Sequence, residues 1–208
     1  MKISVVIPTY KMFGKGIEFL QRNLENLKGQ TFKDFEILVT DNSEDNEIEK
    51  ICGDIRYIRN QRAKNWTGNL NNGILNAKGE YIKILFLDDY FQNENSLMEL
   101  SQNLGDWTIT GCSNHPIACW SERIKWGINT VGSPSVLTIK NDNPLLFNES
   151  LVWVADCDYY IQLHKRYGLP VVLNKINVVI GTGEHQLSNH LSNELKHKEV
   201  EYLCQKYS

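Results

Sequence analysis

Apolar runs and helical repeats alternate along the first half of the chain. Short apolar, β-branched runs occupy residues 3–7, 35–40, 55–58 and 81–87. Apolar residues recur at helical spacing over residues 17–27, 48–51, 69–78 and 97–104. The runs are typical of strands buried on both faces of a parallel sheet, and Gly29 stands where a left-handed helix cap is common. This alternation predicts an α/β fold with a mostly parallel central sheet flanked by helices.

The pattern is looser in the second half. It predicts strands at residues 108–110 and 135–140, a helix at 156–167, two strands at 171–173 and 176–180, and a helical tail from 189. No repeat, linker or low-complexity stretch separates the halves. We therefore expect a single domain over residues 1–208, with one lobe over 1–105 and a second over 106–208.

Composition narrows the class of protein. The 208 residues carry a formal charge of -3 and no basic block, which argues against nucleic acid as a partner. The first residues lack the features of a signal peptide, and no apolar run reaches the ~20 residues of a transmembrane segment. Five cysteines without close pairing favour reduced thiols. We expect a cytoplasmic chain that is soluble, or at most peripheral at a membrane.

Polar residues that are able to bind a ligand follow three of the predicted strands. Pro8, Thr9 and Tyr10 follow the first, Asp41 the second, and the pair Asp88 and Asp89 the fourth. In open α/β sheets, ligands bind beyond the carboxyl ends of the strands. One loop aspartate alone usually caps a turn, but three features at one edge favour a site.

The strand ends lack glycine-rich phosphate-binding loops but contain carboxylates, and this indicates the kind of ligand. No Walker loop and no dinucleotide-binding glycine motif follows a strand, which argues against a P-loop ATPase and a dinucleotide dehydrogenase. A carboxylate at a strand end is able to hold Mg²⁺ or Mn²⁺, and the ion in turn bridges phosphate oxygens. The arrangement suits a nucleoside diphosphate.

These blocks resemble the family 2 inverting glycosyltransferases of the GT-A fold, which act on nucleotide sugars. The similarity covers residues 5–10, 35–43, 71–74 with 77–82, and 87–89 in the family's order and spacing. It continues more loosely at 132–135, 147–149 and 155–160, and ends near 183–188. The resemblance implies a nucleotide-sugar lobe over 1–105, an acceptor lobe over 106–208, and sugar transfer with inversion from a donor, most favourably a UDP-sugar, to a hydroxyl of a glycan or glycolipid.

The resemblance also implies roles for individual residues. Asp156 is the expected general base, and Asp88, with His185 as a second ligand, is expected to bind Mn²⁺ or Mg²⁺. Asp41 is expected to accept a hydrogen bond from the base. The remaining expected contacts to the nucleotide sugar come from Pro8, Thr9, Tyr10, Asn71 and Asp89.

The chain departs from the family pattern at charged positions. The first carboxylate of the family's Asp-x-Asp motif is replaced by Phe86, and two positions at which the family often has arginine hold Leu70 and Gln162. The charge of the diphosphate must then be met by other residues. Unassigned candidates are Arg62, Lys64 and Lys140.

Several alternatives stay open at this point. An aspartate in the first turn of a helix is favoured by the backbone N–H groups there, so Asp156 also fits a capping role, and Asp158 is taken as structural. His185 also fits an ordinary loop position. Trp120, Trp126 and Trp153 fit core packing as well as sugar stacking. As whole functions, a sugar nucleotidyltransferase and a non-catalytic sugar- or nucleotide-binding module compete with the glycosyltransferase.

Overall fold

The computed structural model describes residues 1–208. The strands are β1 (Ile3–Thr9), β2 (Phe35–Asp41), β3 (Arg56–Arg59), β4 (Tyr81–Ile84), β5 (Tyr90–Phe91), β6 (Trp107–Cys112), β7 (Leu137–Lys140) and β8 (Val171–Val179). The helices are α1 (Gly16–Lys28), α2 (Glu47–Cys52), α3 (Trp66–Asn76), α4 (Ser96–Ser101), α5 (Ala155–Tyr167) and α6 (Asn193–Lys206). None of these helices is long and apolar enough to cross a bilayer.

All eight strands form one sheet in the order β3-β2-β1-β4-β7-β6-β8-β5. The pairs β1–β2, β1–β4, β2–β3 and β6–β8 are parallel, whereas β4–β7, β6–β7 and β5–β8 are antiparallel. β1 lies between β2 and β4 in the parallel part of the sheet, and every one of its residues is buried, as expected for a central parallel strand. The predicted α/β fold with a mostly parallel sheet is confirmed.

Two strand ends define the edge at which a ligand is expected. Thr9 and Asp41 are register partners at the carboxyl ends of β1 and β2. The apolar run of the fourth strand continues to Leu87, but its ladder stops at Ile84. Residues 85–89 therefore leave the sheet and carry Asp88 and Asp89 across its edge.

Other element boundaries also differ from the sequence prediction. Helix α3 begins at Trp66, because the side chain of Asn65 caps it by accepting a hydrogen bond from the Gly68 N–H at 2.8 Å. The two predicted strands near the C-terminus are one strand, β8, with register shifts in its pairing to β6. Gly29 has right-handed helical angles, so the predicted left-handed cap is wrong.

A single hydrophobic core extends under both halves of the sheet. Trp107 of β6 and Tyr159 and Tyr160 of α5 are among its largest buried side chains, alongside the apolar residues of β1. All five cysteines are free, as predicted, and three of them are buried. The division into a nucleotide-sugar lobe and an acceptor lobe stays a prediction, because one sheet and one core run through both.

Candidate functional site

An open cleft of about 760 Å³ lies at the carboxyl edge of the sheet. Both halves of the chain line it. Six of the nine predicted site residues form part of its wall, namely Pro8, Tyr10, Asp88, Asp89, Asp156 and His185. Residues far apart in sequence are thus brought together in one concave surface.

Asp88 and His185 meet directly in the cleft. His185 Nε2 lies 3.1 Å from Asp88 Oδ2, and both side chains are largely buried. The ring of Phe19 on α1 packs against the imidazole, with the ring centroids 5.2 Å apart. Burial and, to a smaller extent, the Asp88 charge raise the pKa of Tyr10, which also lines the cleft. The carboxylate and the imidazole predicted as metal ligands are therefore adjacent.

The loop that carries His185 is held against the same aspartate pair. Asp89 Oδ1 accepts a hydrogen bond from the Gly181 N–H at 2.8 Å. Gly181 approaches so closely that a Cβ at this position would collide with the Asp88 carbonyl oxygen. Burial and the neighbouring Asp88 charge raise the pKa of Asp89 above its usual range. Asp89 therefore acts here as a structural link between the strand end and the 181–185 loop.

A buried lysine lies beneath this part of the cleft. Lys83 of β4 is fully buried and donates a hydrogen bond to the Ser135 carbonyl oxygen. Burial lowers its pKa to about 7, and the nearby Asp89 charge opposes this effect. The sequence carried a signal for this residue, since a single charge interrupts the apolar run at 81–87.

Asp156 lies in the first turn of α5 and lines the same cleft. Its Oδ1 accepts the Cys157 N–H and its Oδ2 accepts the Asn129 Nδ2–H, both at 2.7 Å. Burial of the carboxyl raises its pKa to about 6 and outweighs these hydrogen bonds, which lower it. An aspartate with this pKa is mainly ionised at neutral pH and is a stronger base than an ordinary aspartate.

Three predicted contact residues lie behind the cleft wall. Thr9 and Asp41 are fully buried where β1 and β2 end, and Asn71 is buried in α3. Asn71 fixes the 147–149 loop, because its side chain accepts the Phe147 N–H and donates to the Phe147 carbonyl and to Glu149. A direct contact of these three residues with a nucleotide sugar stays a prediction.

Asp41 already has four hydrogen-bond donors. Its Oδ1 accepts from the Thr9 hydroxyl at 3.2 Å and the Ser43 N–H at 2.9 Å. Its Oδ2 accepts from the Tyr57 hydroxyl at 2.9 Å and from Arg59 at 3.3 Å. A base that bonds to Asp41 would have to displace one of these donors. The neighbouring Asn42 lines the cleft, although its sequence position gave no separate signal.

Phe86, which stands where the family has the first carboxylate of its Asp-x-Asp motif, forms an aromatic pair with Trp66. Phe86 lines the cleft and packs edge-to-face against Trp66, with the ring centroids 5.6 Å apart. The Trp66 indole N–H donates to the Val152 carbonyl at 3.0 Å. This aromatic pair makes this part of the wall apolar.

The candidate tryptophans have different surroundings. Trp120 stacks on His164 at 4.1 Å and packs edge-to-face on Trp107, which places it in the core region. Trp126 is exposed but does not line the cleft. Trp153 lines the cleft near Asp156, and Lys196 lies over its ring at 4.8 Å.

The candidate cations also differ. Lys64 is exposed, lines the cleft and joins no ion pair. Arg62 is bound to Glu149, and Lys140 pairs with Asp106 at 3.9 Å. Lys64 is therefore the candidate best placed to meet a phosphate in the cleft.

Asp88 and His185 have ligand atoms that suit a divalent ion, but two protein ligands are too few to complete its coordination. Carboxylate oxygen and imidazole nitrogen are suitable ligands for Mn²⁺. His185 Nδ1 is buried without a hydrogen-bond partner, so the protein leaves one ring nitrogen unsatisfied. No group of three His, Cys, Asp or Glu side chains is gathered at one point. An ion here would need oxygen ligands from a bound diphosphate or from water.

Comparison with known proteins shows the family of the chain. The family model for glycosyl transferase family 2 matches residues 4–117, more than half of the chain. The chain therefore belongs to glycosyltransferase family 2. A relative from Campylobacter jejuni, GalNAc(5)-diNAcBac-PP-undecaprenol beta-1,3-glucosyltransferase, is 25% identical over 99% of this chain and 80% of its own.

Solved structures show the same fold. The S. aureus TarS fragment 1–349 in complex with UDP-GlcNAc matches all of this chain with a TM-score of 0.73 at 20% identity. The mannosyltransferase PcManGT from Pyrobaculum calidifontis, in complex with GDP-Man and Mn²⁺, matches 88% of this chain with a TM-score of 0.65 at 13% identity. This chain spans 66% and 57% of those two chains. The predicted GT-A fold is confirmed.

Proposed function

We propose that this chain transfers a sugar from a nucleoside diphosphate sugar, most favourably a UDP-sugar, to an acceptor hydroxyl on a glycan or glycolipid with inversion at the anomeric carbon. One observation carries the proposal. Asp156, with a raised pKa, and the Asp88–His185 pair line one cleft at the carboxyl edge of the sheet. The TarS complex with UDP-GlcNAc and the glucosyltransferase relative support the donor and acceptor classes.

Asp156 is the proposed general base. Direct displacement requires the acceptor hydroxyl to lose its proton as it attacks the anomeric carbon. The Asn129 amide and the Cys157 N–H hold the carboxylate in one orientation. Because its pKa of about 6 lies near neutral pH, Asp156 accepts a proton more readily than an ordinary aspartate while it is still mostly ionised.

Asp88 and His185 are the proposed protein ligands of a divalent ion, Mn²⁺ or Mg²⁺. When bound, the ion supplies positive charge to the diphosphate leaving group. The protein holds its own two ligands together through the 181–185 loop, which Asp89 fixes at Gly181. Lys64 is the proposed additional cation for a phosphate, because it is exposed on the cleft wall.

A panel of UDP-, GDP- and dTDP-sugars, with and without Mn²⁺, tests the function without a known acceptor. We expect one donor class to raise the melting temperature only with the ion, and we expect slow Mn²⁺-dependent hydrolysis of that donor. Binding without any hydrolysis would indicate a non-catalytic module. Formation of a nucleotide sugar from a sugar phosphate and a nucleoside triphosphate would indicate a nucleotidyltransferase instead.

Trp153 is the proposed platform for a sugar ring of the acceptor. It is 37% exposed and lines the cleft three residues before Asp156, and Lys196 Nζ lies over its ring at 4.8 Å. Indole faces stack on apolar faces of sugars. We expect Trp153→Ala to raise KM for the acceptor by about three- to tenfold, since stacking is worth about 1 kcal/mol.

The measurement uses methyl glycosides of glucose, galactose and their N-acetylamino forms as probe acceptors with the donor found above. Trp126→Ala is the matched control, because Trp126 is also exposed beside a lysine but lies outside the cleft. Hydrolysis of the donor should continue in both variants. Equal acceptor KM values for Trp153→Ala and Trp126→Ala would show that Trp153 does not bind the acceptor.

A further inference from the structure

The C-terminal helix α6 contributes a buried carboxylate to the acceptor side of the cleft. Glu199 is 5% exposed. Its Oε2 accepts the N–H groups of Val152, Trp153 and Val154 at 3.1, 2.7 and 3.1 Å, and its Oε1 also accepts the Val152 N–H at 2.9 Å. None of the ion pairs of the chain includes Glu199. Three successive backbone donors are therefore the main compensation for this buried charge.

The segment that Glu199 binds leads directly into α5. Val154 is the N-cap residue of α5 and has no side-chain capping bond of its own. The Val152 carbonyl is held from the other side by the Trp66 indole. Residue 152 is thus fixed at both its N–H and its C=O, and Asp156 follows in the first turn of the helix.

We propose that Glu199 is a positioning residue that fixes Asp156, and with it Trp153, in the cleft. This inference rests on the proposed function of Asp156. Glu199 does not line the cleft, so its effect must pass through the backbone of residues 152–154. A displacement of the base by about 1 Å is enough to lower a rate by as much as ~10²-fold.

A second attachment of α6 keeps the helix in place when Glu199 is changed. Lys206 and Tyr207 both donate to Asp158 Oδ1, at 2.6 and 2.7 Å. Loss of the Glu199 contacts should therefore loosen the start of α5 and not release α6. This makes a substitution at Glu199 informative about the site.

The test variant is Glu199→Gln, which keeps the size of the side chain but replaces one oxygen acceptor with an amide NH₂. With its amide NH₂ at the Oε1 position, the glutamine removes the 2.9 Å acceptor of the Val152 N–H, and it removes the negative charge that strengthens all three hydrogen bonds. We expect kcat for Mn²⁺-dependent donor hydrolysis to fall by about tenfold or more while KM for the donor stays unchanged. Amide hydrogen exchange at residues 152–154 should become faster.

The matched control is Glu201→Gln on the same helix, because Glu201 is exposed and forms no ion pair. It should behave as the parent does. In an Asp156→Asn background, Glu199→Gln should cause no further loss, since both changes act through the same base. Faster exchange with unchanged kcat, or fully additive losses, would overturn the inference. Turnover by the parent protein is the separate test of the proposed function.

Discussion

Asp156→Asn is expected to lower sugar transfer and donor hydrolysis by about 10²-fold or more, because the substituted amide does not accept the proton of the attacking hydroxyl. The amide oxygen still accepts the Cys157 N–H, so the helix keeps this contact. The new amide group faces the Asn129 amide, which costs about 1 kcal/mol of stability. Donor binding and its ion dependence should stay at the parental level.

The pH profile gives a second measurement of the same residue. The base form of Asp156 is the carboxylate, and its pKa is raised to about 6. Parental kcat should therefore fall as the pH is lowered through about 6, and this inflection should be absent from the residual activity of Asp156→Asn. If Asp156 only caps the helix, the variant loses some stability but transfers sugar at the parental rate.

Asp88→Ala is expected to abolish Mn²⁺-dependent donor binding. The change removes one of the two proposed protein ligands and leaves His185 without its 3.1 Å contact. Since loss of a partner in the outer shell alone costs 10–100-fold in metal affinity, loss of a direct ligand should weaken it by at least ~100-fold. The measurement is the shift in melting temperature on addition of donor, with Mn²⁺ and with EDTA.

The control for this variant is Asp142→Ala, which removes an exposed carboxylate outside the cleft. This control should show the same donor-dependent shift in melting temperature as the parent protein. The fold of Asp88→Ala should survive, because the turn that holds it is fixed through main-chain groups. Arg22 and Asn23 of α1 donate to the Asp88 and Leu87 carbonyl oxygens at 2.6 and 2.9 Å. Ion-dependent donor binding by Asp88→Ala would remove Asp88 from the metal site.

The strands and helices of the first half could be predicted because their signals are local. Apolar runs and helical spacing are sufficient to find β1, α1 and β2 to within a few residues. The early end of β4 at Ile84 could not be predicted, because the apolar run continues to Leu87. There the tertiary contacts, among them the Phe86 N–H bond to the Ser135 hydroxyl at 2.8 Å, replace the ladder.

The site residues of the second half, Asp156 and His185, could be predicted only from the resemblance to family 2 glycosyltransferases. The strand-end rule alone identified the edge with Pro8, Tyr10 and Asp88. It did not separate residues that line the cleft from those that brace it, such as Asp41, because burial is not visible in sequence. The raised pKa of Asp156 and the role of Glu199 arise from packing between distant segments, which leaves no local pattern.

The separation of these partners along the chain has a consequence for folding. The contact between Asp88 and His185 joins positions 97 residues apart, Trp66 and Val152 are 86 apart, and Glu199 reaches back 47 residues to Val152. Contacts with such large sequence separation form slowly, since the entropy of closing long loops opposes them. The β-α-β units near the N-terminus are able to form before the cleft exists. We therefore expect the cleft to be assembled late in folding, so that activity returns after the β1–α1–β2 unit has formed during refolding.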